Sequence, residues 1–213
     1  MKETKAAFAS FCPDVEAKLK KIISTRKIVV TGLLAAVSST LMYLNFALPF
    51  APSYLKIDFS DFPALLASFS VGPLSGLVVC LIKNLISLPA STTGFVGELS
   101  NFLLSSSFVL LSGIYYKYHK TKKGALCSVI IGAFSMAFFA IFTNYFLVYP
   151  AYSRIMPIEA IIGMSSKIIP YVDSVLKVVL VFNFPFTLFK GFLNALLTFV
   201  LYKRLSHIIQ GRK

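Results

Sequence analysis

The chain alternates long apolar runs with short polar segments, and most of the runs have the length of membrane-spanning helices. Because a helix rises about 1.5 Å per residue, roughly 20 apolar residues cross a bilayer. The pattern predicts six helices, at residues 28–48, 59–71, 74–88, 96–116, 125–148 and 174–202. The second and third runs are short and are separated only by Gly72-Pro73, so they fit either two spans or one re-entrant hairpin. We therefore predict an all-α membrane protein with six transmembrane helices.

The composition agrees with a membrane protein and excludes an ordinary soluble domain. Apolar residues make up 57% of the 213 residues, charged residues only 14%, and the mean hydropathy is +0.79. An average soluble domain has about 25% charged residues. The six predicted helices fill the chain, so the length leaves no room for a separate catalytic domain.

The basic residues are distributed as expected for a protein with both termini in the cytoplasm. Fifteen of the 21 Lys and Arg residues lie before the first predicted helix, in segment 117–123 and in segment 203–213. Even numbers of predicted helices separate these blocks, which is typical of the cytoplasmic side of a membrane protein. We interpret residues 1–27 as a basic lead-in with amphipathic spacing, 28–206 as the transmembrane domain and 207–213 as a tail. The net charge of +13 therefore indicates membrane orientation and no nucleic-acid partner.

Polar residues within the predicted helices gather towards the non-cytoplasmic ends. Asn183, Thr187 and Lys190 share one helix face at i, i+4 and i+7. The others are Lys83, Asn84, Glu98, Asn101 and Asn144. Because the hydrocarbon core accepts such groups mainly in a packed interior or a wet cavity, this clustering predicts a binding pocket that opens to the outside. Paired amides favour a neutral heteroaromatic ligand over a metal ion, and no metal site is predicted.

Structural explanations exist for several of these residues. Lys83 could extend to the membrane interface, Glu98 could stabilise the start of its helix, and any one Asn could simply join two helices. Asp58 and Asp61 fit helix capping. Alternatively, the aromatic loop before them covers the pocket. The candidate contacts from this region are Tyr43, Leu44, Phe46, Lys56 and Asp58, with Phe50 and Tyr54 as further wall candidates.

Small residues on the first predicted helix form two rows. Gly32, Ala36 and Thr40 form one row, and Ala35 and Ser39 lie beside it. Rows of this kind let another helix approach closely, so they indicate either packing within the bundle or docking of a partner protein.

Several segments resemble the riboflavin-specific S-component, the substrate-binding subunit of energy-coupling factor (ECF) vitamin transporters. The most specific are DFSD-x-P at 58–63 and GE-x-x-NF at 97–102, and the similarity runs from the first predicted helix to the last. Further matching segments are Gly72-Pro73, Lys83-Asn84, Thr143-Asn144-Tyr145, 156–160 and 184–191.

This resemblance implies the six-helix S-component fold and a multi-pass protein of the bacterial cell membrane. It implies high-affinity capture of riboflavin from outside and delivery through an ATP-driven complex. The partners would be a transmembrane coupling subunit, docked on the small-residue face of the first helix, and two ATPases. The chain itself has no GxxxxGKS or GxxxxGKT phosphate loop, so we expect no ATP hydrolysis, no enzyme activity and no cofactor.

The resemblance also assigns roles to individual residues. It implies that Asn144, Lys190 and the position of Thr187 hydrogen-bond the isoalloxazine ring, with Glu98 in the pocket and the loop after the first helix closing over the ligand. We further expect Glu98 or Lys83 to reach the ribityl chain. The family pattern has Asn where this chain has Thr187, and Asn183, one turn earlier, could compensate.

Other functions remain open from the sequence. The same fold could bind another heteroaromatic vitamin, such as thiamine or folate, or the chain could be an autonomous transporter with Glu98 as a proton site. An intramembrane enzyme is disfavoured, because the chain has neither HExxH nor GxSxG.

Overall fold

The computed structural model describes residues 25–47, 52, 55–91, 94–154 and 157–210, with side chains to residue 201. Nine α-helices account for most of these residues, and a pair of two-residue strands joins antiparallel with Phe46 opposite Ile57. The helices are α1 Thr25–Tyr43, α2 Asp61–Ser70, α3 Pro73–Ser87, α4 Val96–Tyr118, α5 Lys122–Thr143, α6 Tyr149–Tyr152, α7 Ile158–Ser166, α8 Val175–Val178 and α9 Phe184–Gln210. The strands are β1 Phe46–Ala47 and β2 Lys56–Ile57, and a 3₁₀ turn covers Leu88–Ala90.

Two π-helical turns connect neighbouring α-helices into longer continuous helical segments. Asn144–Val148 joins α5 to α6, and Val179–Asn183 joins α8 to α9. Pro150 and Pro185 explain their position, because a proline lacks the backbone N–H and its ring collides with the carbonyl four residues earlier. A π turn accommodates that missing bond, and such turns are frequent at functional sites.

Four helical segments in the described part of the chain are long and apolar enough to cross a membrane: Pro73–Ala90, Val96–Tyr118, Lys122–Tyr152 and Val175–Leu201. As expected, α2 is too short to cross alone, since its ten residues extend only about 15 Å. The count of six crossings therefore stays a prediction, while the described residues form a mainly helical bundle with four segments able to cross a membrane.

Three predicted features near the helix ends need correction. The first helix stops at Tyr43 rather than residue 48, because the chain turns into β1 at Phe46. The fifth does not end at residue 148, since its rod continues to Tyr152. The second begins at fully buried Asp61 rather than at residue 59, and the choice between a span and a re-entrant hairpin stays a prediction. The proposed domain limits are untested, and residues 1–24 and 211–213 lie outside the described residues.

Close helix packing holds together the half of the bundle around the α4–α5 connection. A Cβ atom added at Gly113 of α4 would lie 1.9 Å from Ser68 Oγ of α2, and one added at Gly132 of α5 would lie 1.9 Å from Ser112 Oγ of α4. Only glycine allows such an approach, so these positions determine how α2, α4 and α5 fit.

The two small-residue rows of α1 have different surroundings. Ala35 and Ser39 are buried inside the bundle, whereas Gly32, Ala36 and Thr40 are exposed. The prediction that Ala35 and Ser39 dock a partner is therefore wrong, because their side chains pack internally. Docking by the other three stays a prediction.

Candidate ligand-binding cavity

A cavity of about 630 Å³ lies at the end of the bundle where α4 begins and α5 ends. This volume is within the range of about 300–1,000 Å³ typical of small-molecule sites. Since α4 runs from the cavity to Tyr118, the basic segment 117–123 lies at the opposite end. The cavity is lined from the end of α1, the hairpin, the end of α3 and the start of α4. The remaining wall comes from α5, α6, α7, the two π turns and the start of α9.

Nine of the thirteen predicted substrate contacts line this cavity: Tyr43, Lys56, Asp58, Glu98, Asn101, Asn144, Asn183, Thr187 and Lys190. Their convergence confirms that the polar side chains share one space. Their contact with a ligand stays a prediction. The other four, Lys83, Asn84, Leu44 and Phe46, do not line the cavity, and the reasons follow.

Lys190 lies at the floor of the cavity, where α9 faces the loop before α2. Its Nζ donates to Asp58 Oδ2 at 2.7 Å and to Asn101 Oδ1 at 3.2 Å. An ammonium group has three N–H donors. Lys190 can therefore hold the loop and α4 in place and still present one donor to a ligand.

Lys83 has a structural role below the floor. Its side chain is fully buried, and Nζ donates to Asp61 Oδ1 at 2.5 Å, Ser60 Oγ at 2.7 Å and Ser105 Oγ at 3.2 Å. Three acceptors satisfy all three of its donors. The predictions that Lys83 contacts substrate or extends to the interface are both wrong, because its buried ammonium group is bonded to Asp61 at the start of α2 and to the hydroxyls of Ser60 and Ser105.

Asn84 supports the cavity from behind. Its Nδ2 donates to the carbonyl of Cys80, and its Oδ1 accepts from Asn101 Nδ2 at 3.0 Å. Asn84 was predicted to contact the substrate, but it instead contacts Asn101, which lines the cavity. Asn101 is held on one side by Asn84 and on the other by Lys190.

Asp58 orders the loop between β2 and α2. Its Oδ1 accepts from both the amide and the hydroxyl of Ser60. Burial alone would raise the pKa of Asp58, but the ammonium groups of Lys190 and Lys83 and the hydrogen bonds from Lys190 and Ser60 lower it to about 2. Asp58 is therefore ionised at neutral pH and holds Lys190 as an ion pair.

Asn194 of α9 is a buried residue that the sequence reasoning missed. Its Oδ1 accepts from the amide of Phe62 at 2.9 Å, and its Nδ2 donates to the Asp58 carbonyl at 3.1 Å. Asn194 thus caps α2, and the interpretation of Asp58 and Asp61 as capping residues is wrong. The sequence contained the signal, since Asn194 follows Lys190 by four residues on the same helix face.

The π turns supply the side wall. Asn144 is half-buried and its Nδ2 donates to the Ala140 carbonyl, while buried Asn183 donates from Nδ2 to Tyr149 Oη at 3.0 Å. Thr187 is buried one turn beyond Asn183. The apolar wall residues missed by the sequence reasoning include Leu104, Met136, Val148, Ile161 and Phe186.

The predicted aromatic cover is only partly present in the described residues. Tyr43 lines the cavity and its hydroxyl donates to the Ile86 carbonyl at 3.0 Å. Leu44 is 64% exposed, and Phe46 contacts Phe59 with ring centroids 6.0 Å apart. Both were predicted to line the pocket, but the end of α1 at Tyr43 turns them away. Phe50 and Tyr54 lie outside the described residues.

The rim at the start of α4 carries Glu98. Ser91 Oγ donates to Glu98 Oε2 at 2.7 Å and accepts from the amide of Phe95. Gly94 and Phe95 have φ angles of 58° and 70°, in the left-handed region that side-chain-bearing residues rarely adopt. This turn places Glu98 at the cavity mouth.

Comparison with known proteins identifies the family. Residues 26–202 match the family model described as the ECF transporter, substrate-specific component. The chain belongs to this family. The riboflavin transporter RibU of Staphylococcus aureus is 32% identical over 186 residues, covering 87% of this chain and 93% of that protein. The riboflavin transporter FmnP of Bacillus subtilis is 32% identical over 195 residues, with 90% and 97% covered.

A solved structure agrees with this assignment. The S component of a bacterial ECF transporter superposes with a TM-score of 0.69 at 31% identity, covering 88% of this chain and 99% of that one. The S-component fold and family predicted from the sequence are therefore confirmed. The chain is a multi-pass membrane protein and a component of a transporter.

Proposed function

We propose that this S-component captures riboflavin in the described cavity and binds it without covalent chemistry. The observation that carries the proposal is the convergence of amide, hydroxyl and ammonium groups from separate helices on one cavity with apolar walls. The riboflavin transporters to which the chain is similar support the choice of vitamin.

The cavity chemistry suits the two parts of riboflavin. The tricyclic ring has two flat apolar faces and one polar edge, which require apolar walls and a few placed hydrogen bonds. Met136, Leu104 and Phe186 would cover the faces. Asn144, Thr187 and Lys190 would bond the polar edge, while Glu98 at the rim would accept hydrogen bonds from ribityl hydroxyls.

The charge pattern supports a neutral ligand. The ammonium groups of Lys190 and Lys83 are paired with the carboxylates of Asp58 and Asp61. Because these charges already neutralise one another, a charged ligand would gain little binding free energy from the floor of the cavity. Riboflavin is uncharged at neutral pH.

The orientation and the partners belong to the same proposal. Basic residues favour the cytoplasmic side, and segment 117–123 lies at the end away from the cavity, so the cavity would open outward with both termini in the cytoplasm. The exposed row Gly32, Ala36 and Thr40 would meet the coupling subunit, and two ATPases would supply the energy. The chain itself would be non-catalytic.

Isothermal titration of the detergent-purified protein with riboflavin tests this function. We expect saturable binding, and we expect Lys190→Ala to weaken it by about tenfold or more, because a hydrogen bond from a charged group contributes about 1.5–3 kcal/mol. Lys177→Ala is the matched control, since Lys177 is exposed, pairs with Asp173 and does not line the cavity.

Two results would contradict the proposal. A wild-type protein that binds thiamine or folate but not riboflavin would make it an S-component for another vitamin. Uptake into vesicles that contain this chain alone, driven by a proton gradient without ATP and abolished by Glu98→Gln, would indicate an autonomous transporter.

A further inference from the structure

Asn183 has an unused hydrogen-bond acceptor in the wall of the cavity. Its side chain is 2% exposed, and Oδ1 has no partner among the described residues. Five buried side-chain atoms of the described chain lack a partner, and Asn183 Oδ1 is the one that belongs to a cavity-lining residue. Since a buried acceptor without a partner is costly, this oxygen calls for a donor from a ligand.

The amide of Asn183 is held at one end by a hydrogen bond to Tyr149. Asn183 Nδ2 donates to Tyr149 Oη at 3.0 Å, and both residues line the cavity. Asn183 ends the π turn Val179–Asn183, while Tyr149 directly follows the π turn Asn144–Val148. With the nitrogen held by Tyr149, the oxygen is the end of the amide left for the ligand.

The required partner is an N–H or O–H group. The polar edge of the flavin ring has several acceptors but a single N–H, the imide at N3 between two carbonyls. Lysine donates only, and a threonine hydroxyl both donates and accepts, so neither Lys190 nor Thr187 is as selective for that N–H as a carbonyl oxygen.

We propose that Asn183 Oδ1 accepts the imide N–H of the bound flavin and makes the site selective for heteroaromatic rings with an unsubstituted imide edge. This inference rests on the proposed function and adds to it. A site built around a buried acceptor rejects analogues that lack the donor more strongly than one that only fits the shape.

The test compares riboflavin with 3-methylriboflavin, in which a methyl group replaces the imide hydrogen. Titration of the wild-type protein should show that methylation weakens binding by about tenfold or more. In Asn183→Leu, which has nearly the same size but no acceptor, the two flavins should bind within about threefold of each other. Asn183→Asp keeps an acceptor and should keep the preference.

Lys177→Ala, at an exposed residue outside the cavity lining, is the control and should retain both the affinity and the wild-type preference for riboflavin over 3-methylriboflavin. Thr187→Ala tests the hydroxyl one turn further along the chain, and it should keep that preference while the affinity for both flavins falls. Tyr149→Phe provides an arm that does not alter Asn183 itself. Removal of the hydroxyl frees the amide, so the preference should fall while riboflavin still binds.

The outcomes separate this inference from the proposed function. Wild-type protein that fails to bind riboflavin overturns the proposed function and this inference with it. Wild-type protein that binds both flavins equally, or an Asn183→Leu variant that keeps the full preference, overturns the role of Asn183 and leaves riboflavin binding intact. A preference lost in Thr187→Ala but kept in Tyr149→Phe would assign the imide to Thr187 instead.

Discussion

The two halves of the bundle are held together by different forces. In the cavity half, Lys83, Lys190, Asp58 and Asp61 form a buried charged network that ties α3, α9 and the loop before α2 together. In the basic half, next to segment 117–123, helices meet through glycine and serine at short distances. Hydrogen bonds and ion pairs fix the directions of side chains, as a binding site requires, whereas close packing fixes only the distances between helices.

The largest expected effect comes from breaking the network at its most buried pair. Lys83→Met leaves the buried Asp61 carboxylate with a hydrogen bond from the Ser105 hydroxyl, and its nearest cation is then Lys190 Nζ, 3.9 Å from Oδ2. Removal of one partner from a buried pair costs about 3–5 kcal/mol, so we expect a strong loss of stability against heat or denaturant in detergent.

The double variant Lys83→Met with Asp61→Leu is the control for this first prediction. It removes both charges together, so it should regain much of the lost free energy of unfolding. A single Lys83→Met variant as stable as the wild type would show that the cavity half does not depend on its ion pairs.

A smaller loss is expected in the basic half. Gly132→Ala would bring a methyl group within 1.9 Å of Ser112 Oγ and 2.8 Å of the Phe108 carbonyl oxygen. Helices α4 and α5 would have to separate, and overpacking costs about 1–3 kcal/mol. Measurement of thermal unfolding beside riboflavin titration should show reduced stability with the affinity largely kept.

Gly163→Ala in α7 is the matched control, because a Cβ there meets nothing within 4 Å. Alanine is the better helix former, so this variant should be as stable as the wild type or slightly more stable. If Gly132→Ala weakened riboflavin binding as much as Lys190→Ala does, the two halves would not be separable.

The sequence predicts where the helices lie better than it predicts the contacts between them. Helix α4 begins at Val96 as predicted, and it ends at Tyr118, two residues later than predicted. The role of Lys83 could not be predicted, because its partner Asp61 lies on another helix, at the start of α2 inside the bundle. Depth along a helix does not reveal such a tertiary contact.

Proline and small-residue spacing were similarly ambiguous. Pro150 suggests the end of a helix, yet the preceding π turn lets the rod continue to Tyr152. The two small-residue rows of α1 have similar spacing in the sequence. They differ in burial, since Ala35 is buried and Ala36 is exposed, and the spacing does not reveal this difference. The polar residues that line the cavity were easier to predict, because Asn183, Thr187 and Lys190 lie on one face and polar groups at that depth need a cavity.

The smallest effect is expected at the exposed pair between Lys177 and Asp173, neither of which lines the cavity. Lys177 Nζ lies 2.7 Å from the carboxylate, and the hydrogen bond from Lys177 lowers the pKa of Asp173. Solvent and salt screen an exposed pair of this kind. Lys177→Ala should therefore leave the unfolding temperature and riboflavin affinity unchanged at low and high salt. A clear loss in this variant would mean that general surface charge, rather than the buried network, maintains the cavity half.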